Sequence, residues 1–173
     1  NSNSVSLHIR RGDYLNNPSA YNTHGLCSVE YYNKSKRPVV LAGNGIRLSG
    51  SIDLFKRFIG VKNLPCVVTY LGIDYFEQDD INYVGRVGIK GDRAGNFAIQ
   101  NSDLIICLGT RLSITQTGFE YDLFGREATI VVIDIDKDEH QKNTVRIDEF
   151  INTDVGFFLQ KIINKVLPKP RDL

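Results

Sequence analysis

Four runs of near-continuous Val, Ile and Leu constrain this chain more than any other feature: Pro38-Val-Val-Leu-Ala42, Leu64-Pro-Cys-Val-Val-Thr69, Asp103-Leu-Ile-Ile-Cys-Leu108 and Ala128-Thr-Ile-Val-Val-Ile-Asp-Ile135. All are short for a helix, and none alternates polar with apolar residues, so each reads as a strand buried on both faces. Amphipathic segments lie between them. Ser51 is placed to cap a helix with Ile52, Phe55 and Ile59 on one face, Leu54 and Phe58 beside them, and Gly60 as its stop. Asp92 to Asn101 fits a helix that turns Ala94, Phe97 and Ala98 inward. A last helix starts near Asp154 and presents Val155, Phe158, Leu159, Ile162, Ile163 and Val166 at helical spacing. Lys161 and Lys165 sit toward its carboxyl end and Pro168 stops it. Buried strands alternating with such helices predict an α/β fold, a doubly wound parallel sheet with helices on both faces.

A chain of 173 residues suffices for one well-buried domain and is short for two. The charges, 21 Lys and Arg against 20 Asp and Glu, leave a net +1 with the signs interspersed. No stretch is basic enough for a nucleic-acid footprint, so no nucleic-acid partner is expected. Cys27, Cys66 and Cys107 have no C-x-x-C spacing, and the last two lie inside apolar runs, where a thiol acts as a small hydrophobe. That usage fits a reducing, cytoplasmic compartment. Nothing approaches the roughly 18 to 20 continuous apolar residues of a membrane span. The opening Asn-Ser-Asn-Ser and the absence of Met and Trp suggest a piece of a longer protein.

Residues 1–35 stand outside the strand-helix pattern. Val5 to Ile9 reads as a strand, and residues 10–28 as loop rich in Asn, Tyr, Gly and Ser. A seam near Ser35/Lys36 therefore divides a short leader, 1–35, from the domain at 36–173.

Ligands of open α/β sheets bind beyond the carboxyl ends of the strands. Three turns here follow directly on apolar strands: Gly43-Asn44-Gly45, Gly109-Thr110-Arg111 with Leu112 and Ser113, and Asp134-Ile135-Asp136. Glycine lets backbone approach a diphosphate closely, and a carboxylate at a strand end can accept hydrogen bonds from ribose hydroxyls. Gly-x-Gly without a third, helix-packing glycine serves a plain turn equally well. Asp136, three residues before Glu139, also has the spacing of a capping box. The stretch from Tyr83 to Phe97 carries glycines at 85, 88, 91 and 95, which are costly to order unless a ligand or another subunit approaches the backbone. His8, His24 and His140 have no metal-ligand spacing, and no catalytic residue or metal ligand is assigned. None of the three is read as following a central strand, which argues against a stand-alone NAD-binding, deacylase-like domain. His140 is expected on the exposed face of a helix after Asp136.

The order of these segments resembles a known family. Arg37-Pro-Val-Val-Leu-Ala-Gly-Asn-Gly45, Gly85-Arg-Val-Gly-Ile-Lys-Gly-Asp-Arg-Ala-Gly-Asn-Phe-Ala98, Asn101-Ser-Asp-Leu-Ile-Ile-Cys-Leu-Gly-Thr-Arg111 and Ile130-Val-Val-Ile-Asp-Ile-Asp136 are similar to the Rossmann-like central domain of thiamine-diphosphate-dependent enzymes. Acetolactate synthase is the nearest named kind, together with relatives from surface-polysaccharide gene clusters. The resemblance implies a parent that decarboxylates a 2-keto acid such as pyruvate and carboligates the product. Thiamine diphosphate and magnesium would be held by its other domains, through a glutamate and a Gly-Asp-Gly…Asn motif that this chain lacks. The chain alone is then expected to be inactive, with the parent's other domains and subunits as partners in a homo-oligomer. Some members hold FAD or an ADP group on this domain. For such a ligand the resemblance implies Gly43, Asn44, Gly45, Gly88, Asn96, Gly109, Thr110, Arg111, Asp134 and Asp136. The segment Leu112-Ser-Ile-Thr-Gln-Thr-Gly118 departs from the Phe-Asp-Asp-Arg type of run that accompanies FAD in acetolactate synthases.

Val5-Ser-Leu-His-Ile-Arg-Arg-Gly-Asp-Tyr14 and His24-Gly-Leu-Cys-Ser-Val-Glu-Tyr-Tyr32 resemble instead the sugar-nucleotide motif of α-1,2-fucosyltransferases. There the paired arginines, here Arg10 and Arg11, face the diphosphate of GDP-fucose, a task suited to bidentate guanidinium donors. The alternative expectation is thus a glycosyltransferase fragment. The same context accounts for Arg11-Gly12-Asp13, which would otherwise suggest adhesion.

Overall fold

The computed structural model describes residues 35–163, which form one six-stranded, wholly parallel sheet in the order β3-β2-β1-β4-β5-β6. In chain order the elements are β1 (Pro38–Ala42), α1 (Gly45–Leu48), α2 (Ile52–Lys62), β2 (Cys66–Val68), β3 (Tyr83–Arg86) and α3 (Arg93–Asn101). They continue with β4 (Leu104–Leu108), α4 (Ile114–Thr117), β5 (Thr129–Asp134), β6 (Glu149–Asn152) and α5 (Val155–Ile163). The expected α/β doubly wound sheet is present. Among the described residues no helix is long and apolar enough to cross a membrane.

The four apolar runs are β1, β2, β4 and β5, and their side chains divide by strand alternation between two cores. Val40, Ile106 and Val131 face α2 and α5, where Phe55, Phe58, Ile59, Phe158, Leu159 and Ile162 are buried. Leu41, Ile105, Cys107 and Val132 face α3 and the loops that carry Leu112, Phe124 and Val145. Burying one such side chain contributes about 1.5–3 kcal/mol, which fixes the register of every central strand. Cys66 and Cys107 are buried free thiols, and burial pushes Cys66 up and Cys107 well above its usual range.

Several local expectations are corrected. Gly60 does not stop α2, which runs on to Lys62 and ends where Asn63 turns left-handed at φ 49°. Asn tolerates that conformation because its short amide can bond locally. The Ser51 hydroxyl donates to the Ser49 carbonyl instead of capping α2. In α3 the buried residues are Gly95 and Ile99, while Ala94 and Phe97 face solvent and Ala98 is half-buried. The cause is Gly95: an added Cβ would lie 2.3 Å from the Arg86 carbonyl oxygen, so this side of the helix must press on β3. Strands β3 and β6 lie in segments not read as strands. The chain after β5 forms only a 3-10 turn at Glu139–Gln141, where a longer helix was expected. Asp136 does accept from the amides of Asp138 and Glu139, but Glu139 bonds Arg111 and Lys142 and does not reach back.

The entry to β1 is held by one carboxylate. Asp103 accepts from the Ser35 hydroxyl and from the amides of Lys36 (2.8 Å) and Arg37 (3.0 Å). Its partial burial pushes its pKa up, but these donors prevail and hold it below the usual range. Asp103→Ala should lower stability by about 1–2 kcal/mol, read as an earlier midpoint in urea. Because the folded pKa is depressed, the difference between wild type and variant should be full at neutral pH and shrink as pH falls below the ordinary aspartate range.

The expected leader strand at Val5–Ile9, the fucosyltransferase-like motif with Arg10 and Arg11, and Lys165, Val166 and Pro168 of the last helix lie outside the described residues.

Candidate functional site

The strand order reverses between β1 and β4, and the two loops leaving those strands meet there. The Gly45 amide donates to the Gly109 carbonyl at 2.8 Å, and the Gly43 amide to the Leu108 carbonyl at 2.9 Å. The backbones touch: a Cβ on Gly45 would stand 2.5 Å from the Gly109 Cα, and Gly109 itself holds φ +57°. The glycines of both turns are therefore required first by one another. Tyr75, fully buried, donates its hydroxyl to the Gly43 carbonyl at 2.9 Å and so fixes the first turn from below.

Around this junction a cleft of about 910 Å³ opens along the carboxyl ends of the strands. That volume lies at the upper end of small-molecule sites. Asn44, Gly45, Gly109, Thr110, Arg111, Asp134 and Asp136 all line it, so seven of the ten residues singled out from sequence are brought together. Gly43 lies at the joint beneath. Gly88 and Asn96 are not in the lining. Asn96 receives the Gly88 amide (2.8 Å) and donates to its carbonyl (3.0 Å), so its amide group is spent on holding the loop. Gly88, at φ +103°, rests on the Thr115 carbonyl, where a Cβ would come within 2.1 Å. What approaches the backbone of this glycine-rich stretch is the protein's own chain. Its product is a wall that carries Val87, Ile89 and Lys90 into the cleft.

The cleft is polarised. Arg86, Lys90 and Arg111 line the β3 and β4 side, and Asp134, Asp136 and Asp154 the β5 and β6 side. Arg86 is held by Asp92 through two side-chain bonds, of 3.1 and 2.8 Å, and its own amide donates to the same carboxylate at 2.9 Å. The Arg86 guanidinium accordingly keeps Asp92 below the usual carboxylate range. Arg111 is largely exposed and leans on Glu139 at 3.1 Å. Exposed apolar side chains, Leu48, Tyr70, Leu71, Ile89 and Ile135, rim the opening. Such a cleft suits a ligand with an anionic segment, a hydroxylated segment and a flat apolar end.

Sequence reasoning missed Arg86, Lys90 and Asp154, the last of which also accepts the Phe157 amide at the start of α5. Arg86 and Lys90 lay within the glycine-rich stretch, but nothing local marks their direction. His140 is a further correction. It was expected on an exposed helix face, with no histidine following a central strand. It follows β5, its side chain is 3 % exposed, and its Nε2 lies 3.7 Å from Asp134 Oδ2.

A family model described as thiamine pyrophosphate enzyme, central domain, matches residues 28–162, beginning eight residues before the seam read at Lys36. The chain is 33 % identical over 132 residues to a probable acetolactate synthase large subunit of Methanococcus aeolicus, covering 76 % of this chain and 22 % of that protein. It is 34 % identical over 134 residues to the acetolactate synthase large subunit of Lactococcus lactis, covering 76 % and 23 %. The Escherichia coli acetolactate synthase isozyme 2 large subunit is 30 % identical over 109 residues, 63 % of this chain and 20 % of its own length. The chain thus spans about a fifth of the length of the curated relatives it matches.

Proposed function

The chain belongs to the thiamine pyrophosphate enzyme central-domain family, and on that premise we propose that it is the nucleotide-holding central domain of an acetolactate synthase-like enzyme. The parent decarboxylates a 2-keto acid and carboligates the product. Its thiamine diphosphate and magnesium, which supply the carbanion chemistry, sit on other domains. The residues here do not fit those groups. Asp92 of the Gly91-Asp92 pair is closed onto Arg86. Among the described residues no three His, Cys, Asp or Glu side chains gather where a metal ion could sit. This domain's role is to bind and to assemble, as part of a cytoplasmic homo-oligomer.

The observation that carries the reading is the polarised cleft at the β1/β4 junction. FAD or an ADP group fits it by chemistry: diphosphate toward Arg86, Lys90 and Arg111, ribose hydroxyls toward Asp134 and Asp136, and the ring system against the apolar rim. Calorimetric titration of the chain with ADP, FAD and NAD is the test. ADP or FAD should bind with a Kd below about 1 mM, and Arg111→Ala should weaken binding about tenfold, the loss of one charge-assisted contact. No heat from either ligand at millimolar concentration would leave the domain a purely structural role.

A further inference from the structure

The β5 side of the cleft is backed by a buried polar atom with no hydrogen-bond partner, His140 Nε2. Asp134 is the last residue of β5, and its backbone is fixed: Asn152 donates to its carbonyl at 3.1 Å and to that of Ile135 at 2.8 Å. One carboxylate oxygen, Oδ1, accepts the Asp136 amide at 3.0 Å. The other, Oδ2, faces His140 Nε2 at 3.7 Å, too far for a hydrogen bond. Nε2 is buried and makes no hydrogen bond at all. The imidazole packs on Phe150, with ring centroids 5.1 Å apart, so β6 holds it in place. Its neighbour Glu139 is turned away to Arg111 and Lys142. A buried imidazole nitrogen left without a partner is destabilising, a cost that an apolar residue in the same slot against Phe150 would avoid.

We propose that His140 is a positioning residue for the ligand-binding carboxylate of Asp134, its Nε2–H standing behind Oδ2 so that the remaining acceptor directions point into the cleft at a ribose diol. The assignment rests on the nucleotide reading given above. Burial alone would push Asp134 up, yet the imidazole and the amides of Asp136 and Ile135 leave it below the usual carboxylate range, ready to accept from hydroxyls. His140 has no path to the ligand itself, since its side chain is 3 % exposed. It acts through Asp134 or not at all.

The test is ADP affinity across a double-mutant cycle, with thermal melts on every variant. His140→Leu, which fits the slot on Phe150, should weaken ADP about five- to tenfold, and His140→Gln, which restores an N–H donor, should recover most of that loss. In an Asp134→Asn background, His140→Leu should produce no further weakening. Equal ADP affinity of wild type and His140→Leu would overturn the assignment, as would full additivity with Asp134→Asn, which marks a merely structural role. Should the leucine variant not fold, His140→Ala takes its place in the cycle, and wild-type ADP affinity or full additivity with Asp134→Asn overturns the assignment in the same way. If wild type binds no ADP, the nucleotide reading itself fails, an outcome plainly distinct from binding that is indifferent to His140.

Discussion

Gly109→Ala should destabilise the domain by about 4 kcal/mol or more, enough to unfold much of the population at 37 °C. Two costs coincide at this position. The residue sits at φ +57°, where an added Cβ strains the backbone, and that Cβ would lie 2.6 Å from the Gly45 Cα. The neighbour is backbone, not the end of a flexible side chain, so it cannot step aside without moving β1 against β4. Those strands pair over their whole length, from Pro38 with Leu104 to Ala42 with Leu108, and lie at the centre of the sheet. Gly60→Ala provides the control. Nothing lies within 4 Å of a Cβ there and the residue is helical, so that substitution should gain about 0.5–1 kcal/mol. Urea denaturation of the two variants beside wild type reads both signs at once. A Gly109→Ala midpoint within error of wild type would mean that the two loops do not meet as described.

The same pair of positions shows how far the sequence could be read. Apolar runs of β-branched residues located the four central strands because burial on both faces leaves one pattern. The edges escaped. Strand β3 includes Gly85 at φ +141° and pairs with β2 through a register shift, while β6 reads Glu-Phe-Ile-Asn and is polar at both ends. A strand with one neighbour need not be wholly apolar, so it blends into loop. The site followed the strands. Residues at the ends of β1, β4 and β5 were found, and those at the ends of β3 and β6, Arg86 and Asp154, were not.

The glycines misled in an informative way. Gly45 reads equally as a ligand turn or a plain turn, and Gly88 and Gly95 as places for a ligand or another subunit, and in the fold the approaching partner is chain: Gly109 for Gly45, Thr115 for Gly88, Arg86 for Gly95. Close contact is the common demand, and sequence alone does not tell a ligand's backbone contact from the protein's own. His140 escaped for a related reason. Its partners Asp134 and Phe150 come from two different strands, and only the sheet brings them together.

Glu149→Gln should stabilise the domain at pH 8 by up to about 3 kcal/mol and flatten its stability between pH 5 and 8. Glu149 opens β6 opposite Val131, on the same face of the strand as buried Ile151. Its Oε2 is buried with no hydrogen-bond partner, and burial raises the carboxyl from the ordinary 4.5 to about 7. The folded state therefore holds this proton more tightly than the unfolded chain. Stability contributed by the group is complete below pH 4.5, declines as pH rises through the interval to 7, and stays low above it. A neutral amide of the same shape removes that decline while keeping the packing. Other groups titrate alike in both proteins, so the informative quantity is the difference between two series of thermal melts at pH 5, 6, 7 and 8. It should be smallest at pH 5 and grow to a plateau above 7, a Tm difference of several degrees. A difference that is constant across the series would show that Glu149 is already charged in the folded state at pH 5, held by a cation that satisfies Oε2.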